Sequence, residues 1–158
     1  MAEPIDPTRS ITTTRVVGAS RERVFRAWTD PTVLSKWWGP NGFTNTFHTF
    51  ELRPGGTWDL TMHAPDGANY PNTSVFVEIA PNQRLVFDHI KPMHPFRAEV
   101  TFTEEEGGTL ITWHMIHPTV EECERMRTFV PQANEENLDK LEAELYGLEI
   151  SRPNSNEP

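Results

Sequence analysis

The chain has 158 residues, of which 36% are hydrophobic and 23% are charged, and its formal net charge at pH 7 is -9. This length and composition predict one globular domain and exclude a disordered chain, while the acidic excess argues against binding to nucleic-acid phosphates. No apolar run approaches the ~20 residues of a transmembrane helix, and the first residues lack the features of a signal peptide. A single cysteine excludes internal disulfides. We therefore expect a cytoplasmic protein.

The first forty residues predict one strand and two short helices. Arg9–Val17 is rich in Thr, Ile and Val, which is typical of a strand. Ser20 is placed to cap a helix over Arg21–Trp28. Asp30 then caps a second helix that ends at Trp38, where a Gly-Pro pair prevents its continuation. The two helices therefore meet at Asp30.

Between residues 45 and 117, hydrophobic side chains recur at every second position, which predicts β-strands. Turn sequences rich in Gly and Pro separate six such segments. The predicted strands are Asn45–Leu52, Thr57–His63, Thr73–Ile79, Arg84–Ile90, Phe96–Thr103 and Thr109–Ile116. Along Phe96–Thr103 apolar side chains alternate strictly with polar ones, which predicts an antiparallel sheet with one buried face and one wet face.

Helical spacing returns after the last strand. Thr119 and Glu122 form a capping-box pair that predicts a short helix ending near Phe129, and a longer helix follows from about Pro131 to Tyr146. A leucine recurs at helical intervals along one face of this segment: Leu138, Leu141, Leu145 and Leu148. This stripe predicts that the C-terminal helix packs on an apolar surface.

Together these elements predict an α+β domain over residues 9–149, with flexible tails at 1–8 and 151–158. A curved antiparallel sheet of about seven strands has an apolar face that must be covered, and the long C-terminal helix is the only element that can cover it. Two short helices follow the first strand. A sheet that curves around one helix leaves a space between them, and we expect the functional site in that space.

Several short motifs resemble one protein family. They are Val24-Phe25-Arg26-Ala27-Trp28-Thr29-Asp30-Pro31, Trp37-Trp38-Gly39-Pro40, Leu52-Arg53-Pro54-Gly55-Gly56-Thr57-Trp58, Pro65-Asp66-Gly67 and Leu138-Asp139-Lys140-Leu141. In this order and spacing they resemble the family named for activators of the heat-shock protein 90 ATPase, within the START and birch-pollen-allergen-like (Bet v-like) helix-grip superfamily, also called SRPBCC. The resemblance covers residues 10–147, and it implies a helix-grip fold with a cavity between sheet and C-terminal helix.

We expect this cavity to bind a small hydrophobic molecule without catalysis and without a cofactor. The candidate lining residues point inward from the sheet or lie on the helices that cover it: Trp37, Trp38, Trp58, Leu60, Met62, Phe87, His89, Phe96, Trp113, Met115 and Met126. We expect His89 or a backbone group to orient one polar end of the ligand. The alternative for His89 is a hydrogen bond to a backbone carbonyl in a half-buried wall.

Two other functions remain open. A protein-interaction module, such as a partner of a chaperone in the stress response, would present an exposed apolar patch or the acidic surface of residues 119–149. A small cavity enzyme of the cyclase, lyase or hydrolase type would use His89 or Glu51 as an acid or base with a shifted pKa.

Nucleophilic and metal chemistry are not expected from the sequence. Cys123 lies among Glu121, Glu122 and Glu124, whose carboxylates would raise the pKa of the thiol. The histidines other than His89 are predicted mostly to be partly exposed at the surface. His63 and His114 point away from the apolar face, and His117, three residues after His114, is predicted to face the opposite side from His114. Their spacing matches no metal motif.

Overall fold

The structure is a computed structural model that describes residues 5–91 and 95–147. These residues form seven strands and four helices. The strands are β1 (Ser10–Val17), β2 (Thr44–Phe50), β3 (Thr57–His63), β4 (Asn69–Ala80), β5 (Arg84–Lys91), β6 (Phe96–Glu105) and β7 (Gly108–Ile116). The helices are α1 (Arg21–Thr29), α2 (Pro31–Trp37), α3 (Val120–Met126) and α4 (Val130–Tyr146). Predictions for residues 1–4, 148–149 and 151–158, including Leu148, lie outside the described residues.

The strands form one antiparallel sheet in the order β1-β7-β6-β5-β4-β3-β2. The first strand, β1, pairs with the last, β7, and forms one edge of the sheet. The close approach at the start of β7 requires glycine at 108. A Cβ atom there would lie 1.9 Å from the carbonyl oxygen of Val17, and the φ angle is +152°. The predicted seven-stranded antiparallel sheet with helices on one face is confirmed.

The helix boundaries follow local capping chemistry. The Ser20 side chain accepts a hydrogen bond from the backbone N–H of Arg23 at 3.2 Å, and Asp30 accepts from that of Thr32 at 3.0 Å. Thr119 accepts from the N–H of Glu122 at 3.1 Å. These three predicted N-caps are confirmed. A cap can be predicted from the sequence because its hydrogen bond joins a side-chain oxygen to a backbone N–H only two or three residues away.

Several strand boundaries differ from the prediction by one or two residues, and the start of β4 differs by four. β4 begins at Asn69 and not at Thr73, because its pairing with β3 continues as far as Asn69 opposite His63. The added residues are polar or proline, so hydrophobic alternation does not mark them. β2 ends at Phe50 and not at Leu52, since the chain turns there toward β3.

Helices α1, α2 and α4 cover the apolar face of the sheet, which we call the inner face. The leucine stripe of α4 is buried, with Leu138 and Leu141 fully inaccessible and Leu145 5% exposed. Arg15 on β1 bonds three carboxylates of α4, those of Glu135, Asp139 and Glu142, at 2.6 to 2.8 Å. These ion pairs and the leucines hold α4 against the sheet. None of the helices in the described part of the chain is long and apolar enough to cross a membrane.

Candidate functional site

The middle of the inner face is a packed group of aromatic rings, which we call the aromatic cluster. Its members are Trp28, Trp37, Trp38, Trp58, Phe76, Phe87 and Trp113. The ring of Trp38 lies at its centre, 6.0 Å from Trp28, 5.1 Å from Trp58 and 5.8 Å from Trp113 between ring centroids. Every member except the half-buried Trp38 is at most 2% exposed. Most of the predicted cavity-lining aromatics therefore fill the space they were expected to line.

Hydrogen bonding distinguishes the tryptophans of this cluster. The indole N–H of Trp37 donates to the carbonyl of Ala27 at 3.0 Å. The indole nitrogens of Trp28, Trp58 and Trp113 are buried and have no hydrogen-bond acceptor among the residues that the structure describes. An unpaired buried donor costs about 1–3 kcal/mol. The centre of the domain thus carries three polar groups that its packing leaves unsatisfied.

An open volume lies at one end of the sheet, where β5 ends, β6 begins and β7 ends. We call it the sheet-end groove; its volume is about 410 Å³. It is lined by Arg9, Asp88, His89, Ile90, Pro95, Phe96, Arg97, Ile116, His117 and Pro118. A volume of this size is in the ~300–1,000 Å³ range of small-molecule sites.

Three rings from neighbouring strands form a row in this groove. His89 on β5 pairs with Phe96 on β6, and their rings stack at 4.9 Å with an interplanar angle of 16°. The ring of His117, just after β7, lies 6.1 Å from that of Phe96. The backbone N–H of His117 donates to the backbone carbonyl of Arg9 at 2.7 Å, so the row lies next to the residue that precedes β1. We call His89, Phe96 and His117 the ring row; His89 is 9% exposed and His117 1%.

Charged residues also line the groove. Arg97 donates from Nε and Nη2 to the two carboxylate oxygens of Asp88 at 2.7 and 3.0 Å, and this hydrogen bonding raises the pKa of Arg97. Asp88 and Arg97 alternate along their strands with His89 and Phe96, so this ion pair lies toward the outer face of the sheet. Arg9 Nη1 donates to the carbonyl of His117 at 3.0 Å, which joins Arg9 to the ring row.

Of the eleven predicted lining residues, His89 and Phe96 line this groove. The others lie in the aromatic cluster or beside it in the core. Leu60 is 2% and Met115 7% exposed, while Met62 and Met126 are partly buried against the core. The predicted inward orientation of His89 is confirmed. The helices close over the middle of the sheet, so inward orientation by itself does not place a residue on an open surface.

Two residues of the groove were not among the predicted lining residues. His117 was predicted to face the side opposite His114, and the structure confirms this, because the alternation of Trp113 and Met115 continues past the end of β7. Its predicted partial exposure is wrong, since His117 is 1% exposed. Arg9 likewise continues the alternation of Ile11 and Thr13, both of which are buried on β1. Period-two alternation thus gives the inward orientation of both residues.

Other candidate residues lie away from the groove lining. The Glu51 carboxylate accepts the N–H of Thr57 at 3.0 Å, so it holds the turn between β2 and β3. The Cys123 side chain is buried, and burial raises the pKa of its thiol, with a smaller contribution from Glu124. The predicted cause, neighbouring carboxylates, is therefore the lesser one. Glu51 therefore stabilises a turn and Cys123 packs in the core.

His63 and His114 form hydrogen bonds on the outer face of the sheet. His114 Nδ1 lies 2.8 Å from the Thr12 hydroxyl, and partial burial lowers the pKa of His114. His63 contacts the Thr46 hydroxyl at 2.8 Å. Within residues 5–91 and 95–147, no group of three or more His, Cys, Asp or Glu side chains is arranged to hold a metal ion.

Residues 18–146 match the family model described as Activator of Hsp90 ATPase homolog 1-like protein. No curated protein sequence matches the chain. The family match includes the whole aromatic cluster and all of the groove lining except Arg9.

Solved structures share the fold at low sequence identity. A protein from Nitrosomonas europaea is 23% identical, with a TM-score of 0.84 over 92% of this chain and 99% of that chain. A protein from Arthrobacter aurescens is also 23% identical, with a TM-score of 0.85 over 96% of this chain and 94% of that chain. The AHSA1-like protein from Aeromonas hydrophila is 20% identical, with a TM-score of 0.72 over 94% and 99%. These similarities establish the helix-grip fold.

Proposed function

The chain belongs to the Activator of Hsp90 ATPase homolog 1-like family, and we propose that its domain binds a small, largely apolar molecule in the sheet-end groove without transforming it. Family and fold support a ligand-binding or activator-like domain in general. The observation that carries the more specific proposal is the groove of about 410 Å³ with the ring row inside it. It offers enough volume for a small organic molecule.

Apolar contact supplies most of the binding free energy in this proposal. Ile90 is 45% exposed at the groove, and Pro95, Ile116 and Pro118 complete an apolar rim around the ring row. Each Å² of apolar surface that a ligand and this rim remove from water stabilises the complex by ~25 cal/mol. A ligand of ~20–30 heavy atoms at ~0.3 kcal/mol per atom would bind with a Kd near the micromolar range.

The groove borders the aromatic cluster at its inner end. Phe87 precedes His89 by two residues on β5, and Met115 precedes His117 by two residues on β7, so both pairs share the inner face. A ligand longer than the groove would meet Phe87 and Met115 next. Methionine adapts its shape readily, so Met115 suits a wall that yields to a ligand.

Binding without catalysis is the function that the polar groups support best. Asp88 is occupied by Arg97 in a two-point ion pair, and Glu51 lies in a turn. A carboxylate poised for acid–base chemistry would instead sit in an apolar pocket, where burial shifts its pKa. In this proposal His89 or a backbone group orients one polar end of the ligand.

Native mass spectrometry of the purified chain, followed by denaturing extraction of any released molecule, tests this proposal. We expect an adduct of a few hundred daltons in the wild-type chain. Where the chain purifies without one, titration with the neutral probe 2-naphthalenemethanol should shift the NMR signals of the ring row. Shifts confined to residues outside the groove, or the absence of both adduct and shifts, would contradict the proposal.

The chain offers a matched control for this experiment. Phe96→Ala removes the middle ring of the row, whereas Phe129→Ala removes a phenyl ring that is 55% exposed and lies outside the groove lining. We expect the first change to abolish the adduct or weaken probe binding at least tenfold and the second to leave both unchanged. Equal effects of the two variants would mean that the ligand does not occupy the groove.

A further inference from the structure

The sheet-end groove is locally basic within an acidic chain. Arg9 and Arg97 line it together with one acid, Asp88, whereas the whole chain has 23 acidic and 14 basic residues. Arg97 and Asp88 neutralise each other, because both carboxylate oxygens accept hydrogen bonds from the guanidinium at 2.7 and 3.0 Å. Of the Arg and Asp side chains in the part of the lining that the structure describes, Arg9 is therefore the one outside this ion pair.

Arg9 is held in place without being strongly neutralised. Its Nη1 donates to the carbonyl of His117 at 3.0 Å and to that of Pro118 at 3.5 Å. These neutral acceptors fix the guanidinium beside the ring row. Asp6 approaches Nε only to 3.5 Å, and the two side chains are 38% and 45% exposed, so this ion pair is weak. A guanidinium has five N–H donors, which match the geometry of a carboxylate.

The ring row favours a flat apolar partner next to this charge. His89 and Phe96 stack within 16° of parallel, and Phe96 is only partly buried. Flat rings pack against such a surface in offset-stacked or edge-to-face arrangements, which contribute about 0.5–1.5 kcal/mol beyond the apolar area buried. A branched aliphatic chain gains the area but not this additional attraction.

We propose that the ligand class of the groove is the aromatic carboxylate, with its ring on the ring row and its carboxylate on Arg9. This assignment rests on the proposed function and adds the chemistry of the ligand to it. The contact with Arg9 is a charge-assisted hydrogen bond in a partly desolvated groove. Arg9 thereby selects anions although the chain as a whole is negatively charged.

Two probes with the same ring system test the assignment. The NMR signals of the ring row are followed during titration with 2-naphthoate and with 2-naphthalenemethanol at pH 7.5, where the acid is ionised. We expect 2-naphthoate to bind at least about tenfold more tightly, because the charge-assisted contact is absent from the alcohol. Equal affinities at the ring row would overturn the carboxylate assignment and leave the proposed function standing. No shift at the ring row with either probe would overturn both.

Arginine variants locate the source of the preference. Arg9→Met keeps an apolar stem without the charge, and we expect it to bring the two affinities within about twofold of each other. Arg53→Met is the matched control, since Arg53 is 64% exposed in the turn before β3 and lies outside the groove lining. It should retain the full preference. Should Arg9→Met fail to fold, Arg9→Lys replaces it as the test. Lysine keeps the charge but lacks the planar guanidinium that matches a carboxylate, so we expect Arg9→Lys to reduce the preference for 2-naphthoate. An undiminished preference in the folded Arg9 variant would overturn the assignment.

Discussion

The aromatic cluster and the sheet-end groove occupy the same face of the same strands, yet one is packed and the other is open. Trp113 and His117 both lie on the inward side of β7 or its continuation, and both are at most 2% exposed. Helices α1 and α4 cover the sheet around Trp113, while a groove of about 410 Å³ remains beside His117. The position of the covering helices, and not the strand pattern, separates a core from a binding surface.

The largest expected difference between the two regions is in stability. Trp58→Ala deletes a ring that is 2% exposed, and we expect the free energy of unfolding to fall by about 3–5 kcal/mol. Phe96→Ala deletes a partly buried ring at the groove and should lower it by only about 1–2 kcal/mol. Urea denaturation of both variants checks the order. Similar losses would show that the groove is part of the packed core.

Weakening the attachment of α4 to the sheet should destabilise the packed region and leave the stability of the groove unchanged. Arg15→Met removes three ion pairs with α4, and because two of the carboxylates are 53% and 64% exposed we expect a loss of about 1–2 kcal/mol. Hydrogen exchange should accelerate in α4 and remain unchanged in β5 and β6. Acceleration in β5 and β6 of the same size as in α4 would contradict this separation.

The cap at the junction of α1 and α2 should make the stability of these helices depend on pH. Hydrogen bonds from the Thr32 hydroxyl and N–H hold the pKa of Asp30 below its usual range. A carboxyl with a lowered pKa in the folded state contributes stability at neutral pH, and this contribution is lost as the pH falls below about 4. Asp30→Ala should therefore lower the free energy of unfolding by about 1 kcal/mol at pH 7 and by less at pH 3.

Asp30→Asn is the control for this pH dependence, since an Asn side chain caps the helix without titrating. Its deficit relative to the wild type at pH 7 should be small. Thermal unfolding at the two pH values measures both variants, and a deficit of Asp30→Ala that does not shrink at pH 3 would show that the charge of Asp30 plays no part.

The smallest expected effect distinguishes tryptophans within the packed region. Trp37→Phe removes a donor that bonds the carbonyl of Ala27, whereas Trp113→Phe removes one without an acceptor among the described residues. We expect Trp37→Phe to destabilise the chain by about 1 kcal/mol more than Trp113→Phe. A larger loss for Trp113→Phe would mean that its indole N–H is paired in solution.

Two elements illustrate how far sequence reasoning reaches. The strand Phe96–Thr103 and the cap at Asp30 were predictable, because a period-two pattern and a cap are properties of neighbouring residues. The start of β4 at Asn69 was not, because its polar residues are held by pairing with β3. A hydrophobic ligand and a chaperone or other protein partner stay predictions.

The sequence by itself determined the family, the order of the elements and, outside the β-bulges of β2 and β4, the side of the sheet to which strand residues point, since these follow from motifs, caps and alternation. Tertiary structure decided which inward residues become core and which line a groove. His89 and Trp113 carry the same inward signal, but Trp113 packs against Trp28 of α1 in the aromatic cluster, whereas His89 lines the sheet-end groove. Alternation gives Arg9 and His117 their inward orientation, whereas the register of β1 with β7 brings these two residues together although they lie more than a hundred positions apart in the sequence.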